Sequence, residues 1–169
     1  NYFIRFWKKI KNRWENLLIV IQLLKNTFNN YLIYIIHMSS SNHLSILIFT
    51  ISMLVIDFIW IGTYMSNKYK SFFKSLKLKM VFRWYSALLT YLLMIASYVV
   101  FVDQYKNNIK EYLSKATILG VLLFGVYGFT LSSIFPKYNF GFAITETIWG
   151  GVLYALSAII TYNINKNYL

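Results

Sequence analysis

Apolar residues in this chain gather in four blocks of about twenty, and each block ends in polar or basic sequence. The blocks cover residues 44–65, 84–102, 116–135 and 143–162. About twenty apolar residues in a helix cross the hydrocarbon of a bilayer. The predicted architecture is therefore an all-α membrane protein, a bundle of four transmembrane helices over residues 38–169. Pro136 closes the third block, since proline cannot continue a helix. The fourth block reads AITETIWGGVLYALSAIITY and holds a carboxylate, Glu146, with Trp149 and the pair Gly150-Gly151 behind it.

Residues 1–37 follow a different pattern. Residues 1–15 interleave Arg5, Lys8, Lys9, Lys11 and Arg13 with Trp7 and Trp14, a combination suited to the headgroup level. Farther on, Leu17, Val20, Ile21, Leu24, Phe28, Tyr31, Leu32 and Ile35 recur at helical spacing, interrupted by Lys25 and asparagines. That predicts an amphipathic helix lying in the interface as an N-terminal extension. Residue 1 is not Met, and Met38 opens a plausible beginning of the core.

Composition sharpens the membrane reading. Hydrophobic residues make up 58% and charged residues 13%, well away from soluble averages. The net charge of +12 sits beside apolar spans, so the implied partner is the bilayer with its anionic headgroups, not nucleic acid. The first loop holds Lys68, Lys70, Lys74, Lys77, Lys79 and Arg83 with no acid. It shares a side with Lys137, against Lys106, Lys110, Lys115 and Lys166 on the other, a bias that places the first loop in the cytosol. The basic N-terminus favours the opposite orientation unless residues 16–37 also cross. Without Cys there is no disulfide or thiolate chemistry. His37 and His43 do not make a metal set, and no sequence motif calls for a cofactor.

Two acids fall inside the spans. Counting about 1.5 Å per helical residue places Asp57 and Glu146 in the same leaflet, toward the first-loop face. Each has a tryptophan three residues on, Trp60 and Trp149, on the same helix face. Thr90 and Tyr91 in the second span and Tyr127 and Thr130 in the third reach similar depth. An inward-facing layer of Asp57, Trp60, Thr90, Tyr127, Thr130, Glu146 and Trp149 is the candidate polar site. Intramembrane acids are expensive and mark ion or proton pathways, although they also serve as polar ties between helices. Gly120, Gly125, Gly128, Gly150, Gly151 and Ala155 are read as positions of close helix packing. Tyr64, Trp84, Tyr138 and Tyr162 are read as interface anchors.

Three stretches in order carry a family resemblance. They are Asp57-Phe58-Ile59-Trp60-Ile61-Gly62, Gly125-Val126-Tyr127-Gly128-Phe129-Thr130 and Glu146-Thr147-Ile148-Trp149-Gly150. Over residues 44–162 the chain resembles the predicted membrane protein family known as domain of unknown function 2177. The resemblance implies four spans and no established activity. It also implies an acid or amide where this chain has Gly128, Asn where it has Leu131, and Asp where it has Glu146.

Three functions compete. One is a small transporter or proton- or cation-linked protein using the carboxylate pair. Another is a structural component of a homo-oligomer or larger membrane complex. The third, a lipid-modifying enzyme, lacks a nucleophile or metal set.

Overall fold

The computed structural model describes residues 40–168, together with Glu15, Leu18, Ile19, Ile21, Gln22, Lys25, Asn26 and Asn29. The chain divides into Asn1–Ser40 and Ser41–Leu169. The eight described positions that precede Ser40 are helical and exposed. The predicted interfacial helix otherwise lies outside the described residues.

In the second unit the described residues are helical apart from short connections such as residues 78–83, with no strand among them. Helix α1 runs Ser40–Trp60, passes into a π-helical stretch at Ile61–Met65, and continues as α2, Ser66–Ser75. Helix α3 is Trp84–Phe101, α4 is Ile109–Ile134 and α5 is Phe140–Tyr168. Among the described residues four helical segments are long and apolar enough to cross a bilayer: His43–Ser75, Trp84–Phe101, Ile109–Ile134 and Phe140–Asn167. Most of their apolar side chains point outward, as lipid-facing residues must.

Two helix boundaries differ from the sequence reading. The lysine-rich stretch expected to be a loop stays helical to Ser75, because Lys68, Lys70 and Lys74 extend from an exposed surface without opposing helix formation. It ends in a Schellman turn: the Leu78 amide donates to the Phe73 carbonyl and the Lys77 amide to that of Lys74. Lys77 takes the left-handed position, at φ 56°. Helix α4 starts well before residue 116, where the Asn108 side chain accepts from the Lys110 amide and Glu111 follows in the first turn.

Helices α4 and α5 meet backbone to backbone. A Cβ on Gly120 would lie 2.1 Å from the Gly150 carbonyl oxygen, and one on Gly150 would lie 2.5 Å from that of Gly120. Farther along, Gly125 faces Thr147 and Gly128 faces Ala143. Gly151 packs against Val121. Ala155 is only half-buried. On the other side of α5 large rings fill the core. Phe49 of α1 stacks on Tyr98 of α3 at 3.6 Å between ring centroids and meets Tyr154 of α5 edge-on. The Tyr154 hydroxyl donates to the Met94 carbonyl, tying α5 to α3.

Candidate functional site

Asp57 sits on α1 three residues before Trp60, and Glu146 sits on α5 three residues before Trp149. Both acids are buried, with 6% and 3% of their surface exposed, in a part of the chain where water is scarce. Each is met by two donors. The Tyr91 hydroxyl donates to Asp57 Oδ2 at 2.8 Å and the Trp149 indole N–H to Oδ1 at 3.0 Å. The Tyr69 hydroxyl donates to Glu146 Oε1 and the Tyr138 hydroxyl to Oε2. Among the described residues neither acid has a cationic partner.

The two centres are connected through the tryptophans. The Trp60 and Trp149 rings stack at 4.2 Å and 8° between planes. Trp149, one turn from Glu146, spends its N–H on Asp57. The parallel Asp-x-x-Trp and Glu-x-x-Trp motifs thus meet across the bundle, the acid of one bonded to the ring of the other. Trp60 Nε1 is buried with no hydrogen-bond partner among the described residues and supplies one more donor at this layer.

Rotation about each helix sorts the residues that depth alone had grouped. Tyr91 points at Asp57, whereas its neighbour Thr90 is exposed and donates to the Ser86 carbonyl of its own helix. Thr130 is exposed as well. These two threonines do not join the layer, because consecutive helical residues are about 100° apart and share depth without sharing a face. Tyr127 is half exposed and lies beside Tyr69 and Glu146. Gly128, where the resemblance implies an acid or amide, packs against the Ala143 backbone instead.

Tyr69 and Tyr138 complete the Glu146 centre, and neither was a sequence candidate for it. Tyr69 was hidden by the assumption that the helix stops near residue 65. Tyr138 stands in the α4–α5 turn, buried rather than at an interface. Burial first, and then its bond to the Glu146 carboxylate, hold its phenol above the ordinary value. Asn139, the next residue, caps α5 by accepting from the Gly141 amide.

A second polar knot lies at the opposite end of the bundle. Asp103, fully buried after α3, accepts from the Tyr98 hydroxyl at 3.2 Å and pairs with Lys106 at 3.5 Å. Tyr98 also bonds the Tyr112 hydroxyl at 2.7 Å. Asp103 lies in the segment between the second and third apolar blocks, and the short 3-10 turn Asp103–Tyr105 folds it inward. Nearby, the Asn165 amide donates to Ser45, closing α5 onto α1. Among the described residues no group of three or more His, Asp and Glu side chains gathers to hold a metal ion.

Four apolar spans, glycine-mediated packing and buried acids with neutral donors define a small polytopic integral membrane protein. The family described as "Predicted membrane protein (DUF2177)" matches over residues 42–163, and the chain belongs to it. No curated protein and no solved structure matches the chain.

Proposed function

We propose that this is a proton-linked membrane protein in which Asp57 and Glu146 are the groups that bind and release protons. One observation carries the reading: two buried carboxylates flank a single tryptophan stack and, among the described residues, are held by phenol and indole donors alone. An acid near a helix centre costs roughly 2.5–3.5 kcal/mol on insertion scales. Hydrogen bonds to a charged group return roughly 1.5–3 kcal/mol each. Two donors therefore offset much of the cost of burying each acid without a cation. Neutral polar side chains would tie the helices at lower cost, which favours an ionisable role for the pair. Tyr127, half exposed beside Tyr69 and Glu146, gives the centre an edge toward its surroundings.

The test is proton flux into liposomes carrying the purified protein and an internal pH dye, under an imposed potential. Wild type should exceed empty liposomes, and Asp57→Asn and Glu146→Gln should abolish the excess while still melting cooperatively. A second reading has its own support, since the donors to the two acids come from α2, α3, α5 and the α4–α5 turn. On that reading the acids are clamps in a structural component of a membrane complex. Wild-type flux equal to that of empty liposomes favours the clamp.

A further inference from the structure

A groove of about 580 Å³ opens between α2 and the start of α5, apart from the carboxylate layer. Lys68, Lys137, Asn67, Ser71, Asn139 and Thr145 supply its polar lining, and Phe72 and Phe142 its apolar wall. The lysines come from segments far apart in sequence. Lys68 is exposed on α2, its ammonium donating to the Tyr64 hydroxyl at 2.5 Å and lying 4.1 Å from that ring's centre. Lys137, in the α4–α5 turn, reaches across and donates to the Ser75 carbonyl at 2.5 Å. Both cations are positioned by neutral partners, and each ammonium keeps further N–H donors for a ligand. No acid lines the groove.

We propose that this groove binds the phosphate of an anionic phospholipid, with Lys68 and Lys137 on either side of the headgroup. Three features favour a lipid over a soluble anion. The groove lies where two membrane-crossing helices reach the surface. Its wall is aromatic, and Phe72 and Phe142 both pack on Tyr138, so the floor is continuous with the apolar body of the bundle. Finally, it is open along its length, as a headgroup with attached chains requires, rather than closed around a small ion. Asn67, Ser71 and Thr145 add neutral hydrogen-bonding capacity suited to phosphate or glycerol oxygens. The site does not depend on the proton-linked reading, because it shares no residue with the acids.

The experiment measures lipid binding by native mass spectrometry on the detergent-purified full chain, with phosphatidylglycerol as the probe and phosphatidylcholine as the neutral control. Wild type should retain phosphatidylglycerol in preference to phosphatidylcholine. Lys68→Gln with Lys137→Gln should weaken phosphatidylglycerol retention about a hundred-fold or more, because each removes a charge-assisted hydrogen bond to the phosphate. Lys70→Gln with Lys79→Gln, which removes the same charge outside the groove, should change it less than three-fold. Lys68→Arg with Lys137→Arg should restore most of the binding, which separates loss of charge from loss of fold. Equal losses in the two Gln pairs would overturn the proposal in favour of diffuse surface attraction. So would no loss in the groove pair, or displacement of the lipid by millimolar inorganic phosphate, which would identify a soluble anion as the ligand.

Discussion

Replacing Gly120 with alanine adds one methyl group at the tightest point of the bundle. Its Cβ would sit 2.1 Å from the Gly150 carbonyl oxygen and 2.7 Å from the carbonyl carbon. Both are backbone atoms of a long helix, so no rotamer change relieves the clash. An ordinary contact begins at 3.4 Å, so α4 and α5 must part there by about 1 Å or more. The close approach continues along the pair, since a Cβ added at Gly125 would lie 3.3 Å from Thr147 and one added at Gly128 3.2 Å from Ala143, so parting the helices at Gly120 forfeits packing there as well. Overpacking a dense interior costs about 1–3 kcal/mol and sometimes more. With rigid backbone on the far side, the upper end of that range is expected, about 3 kcal/mol. Alanine's better helix propensity offsets only about 1 kcal/mol of it. The assay is unfolding in mixed micelles followed by circular dichroism. Gly62→Ala is the control, since a Cβ there meets nothing within 4 Å. It should be neutral or slightly stabilising. If Gly120→Ala unfolds at the same denaturant fraction as Gly62→Ala, the close α4–α5 crossing is wrong.

Further outcomes follow from the polar centres and the turns. Tyr91→Phe leaves one oxygen of a buried Asp57 without its donor and should cost about 1–3 kcal/mol in the same unfolding assay, whereas Thr90→Val, one residue away and exposed, should stay within about 0.5 kcal/mol. Lys77→Gly should stabilise the fold by up to about 1 kcal/mol, because Lys77 occupies a left-handed conformation that glycine adopts without strain; a loss of stability would contradict the turn. Tyr138 has its phenol raised above the ordinary value near 10, so its contribution is complete below pH 10 and is lost as the pH climbs through the raised folded-state value. NMR of ring-labelled tyrosine should show that Tyr138→Phe removes a resonance that does not titrate near pH 10; loss of one titrating there would refute the assignment.

The helices were legible because twenty-residue apolar blocks have one economical solution in a bilayer. The burial of Asp57 and Glu146 was legible for a related reason: an ionisable residue so deep in a span must be shielded from lipid. Their partners were not legible. Depth follows from counting, but which residue at a given depth faces inward depends on the rotation of each helix, set by packing far away in sequence. Tyr91 and Thr90 show the difference, adjacent in the chain and pointing into different surroundings. The early start of α4 did carry a local signal, since Asn108 with Glu111 three positions on is a helix-capping pattern. Asp103 carried none: a lone acid among lysines reads as solvated, and only the tertiary fold brings Tyr98 to it.

The π-helical stretch Ile61–Met65 works as a phase corrector. Twelve residues of uninterrupted α-helix separate two positions by about 120° around the axis, so Tyr69 would point well away from the face that carries Asp57. A π stretch accommodates roughly one additional residue in a turn, which winds the downstream segment back by about 100°. That returns Tyr69 to nearly the same azimuth as Asp57, on the side where Glu146 accepts its hydroxyl. The first span and its lysine-bearing continuation are therefore two gears joined by a one-tooth offset. Deleting Gly62, where a Cβ would meet nothing within 4 Å, would let this stretch close into plain α-helix while eleven steps of about 100° still bring Tyr69 to the face that carries Asp57, whereas deleting one residue from the regular helix on either side would swing Tyr69, Lys68 and Phe72 together out of register.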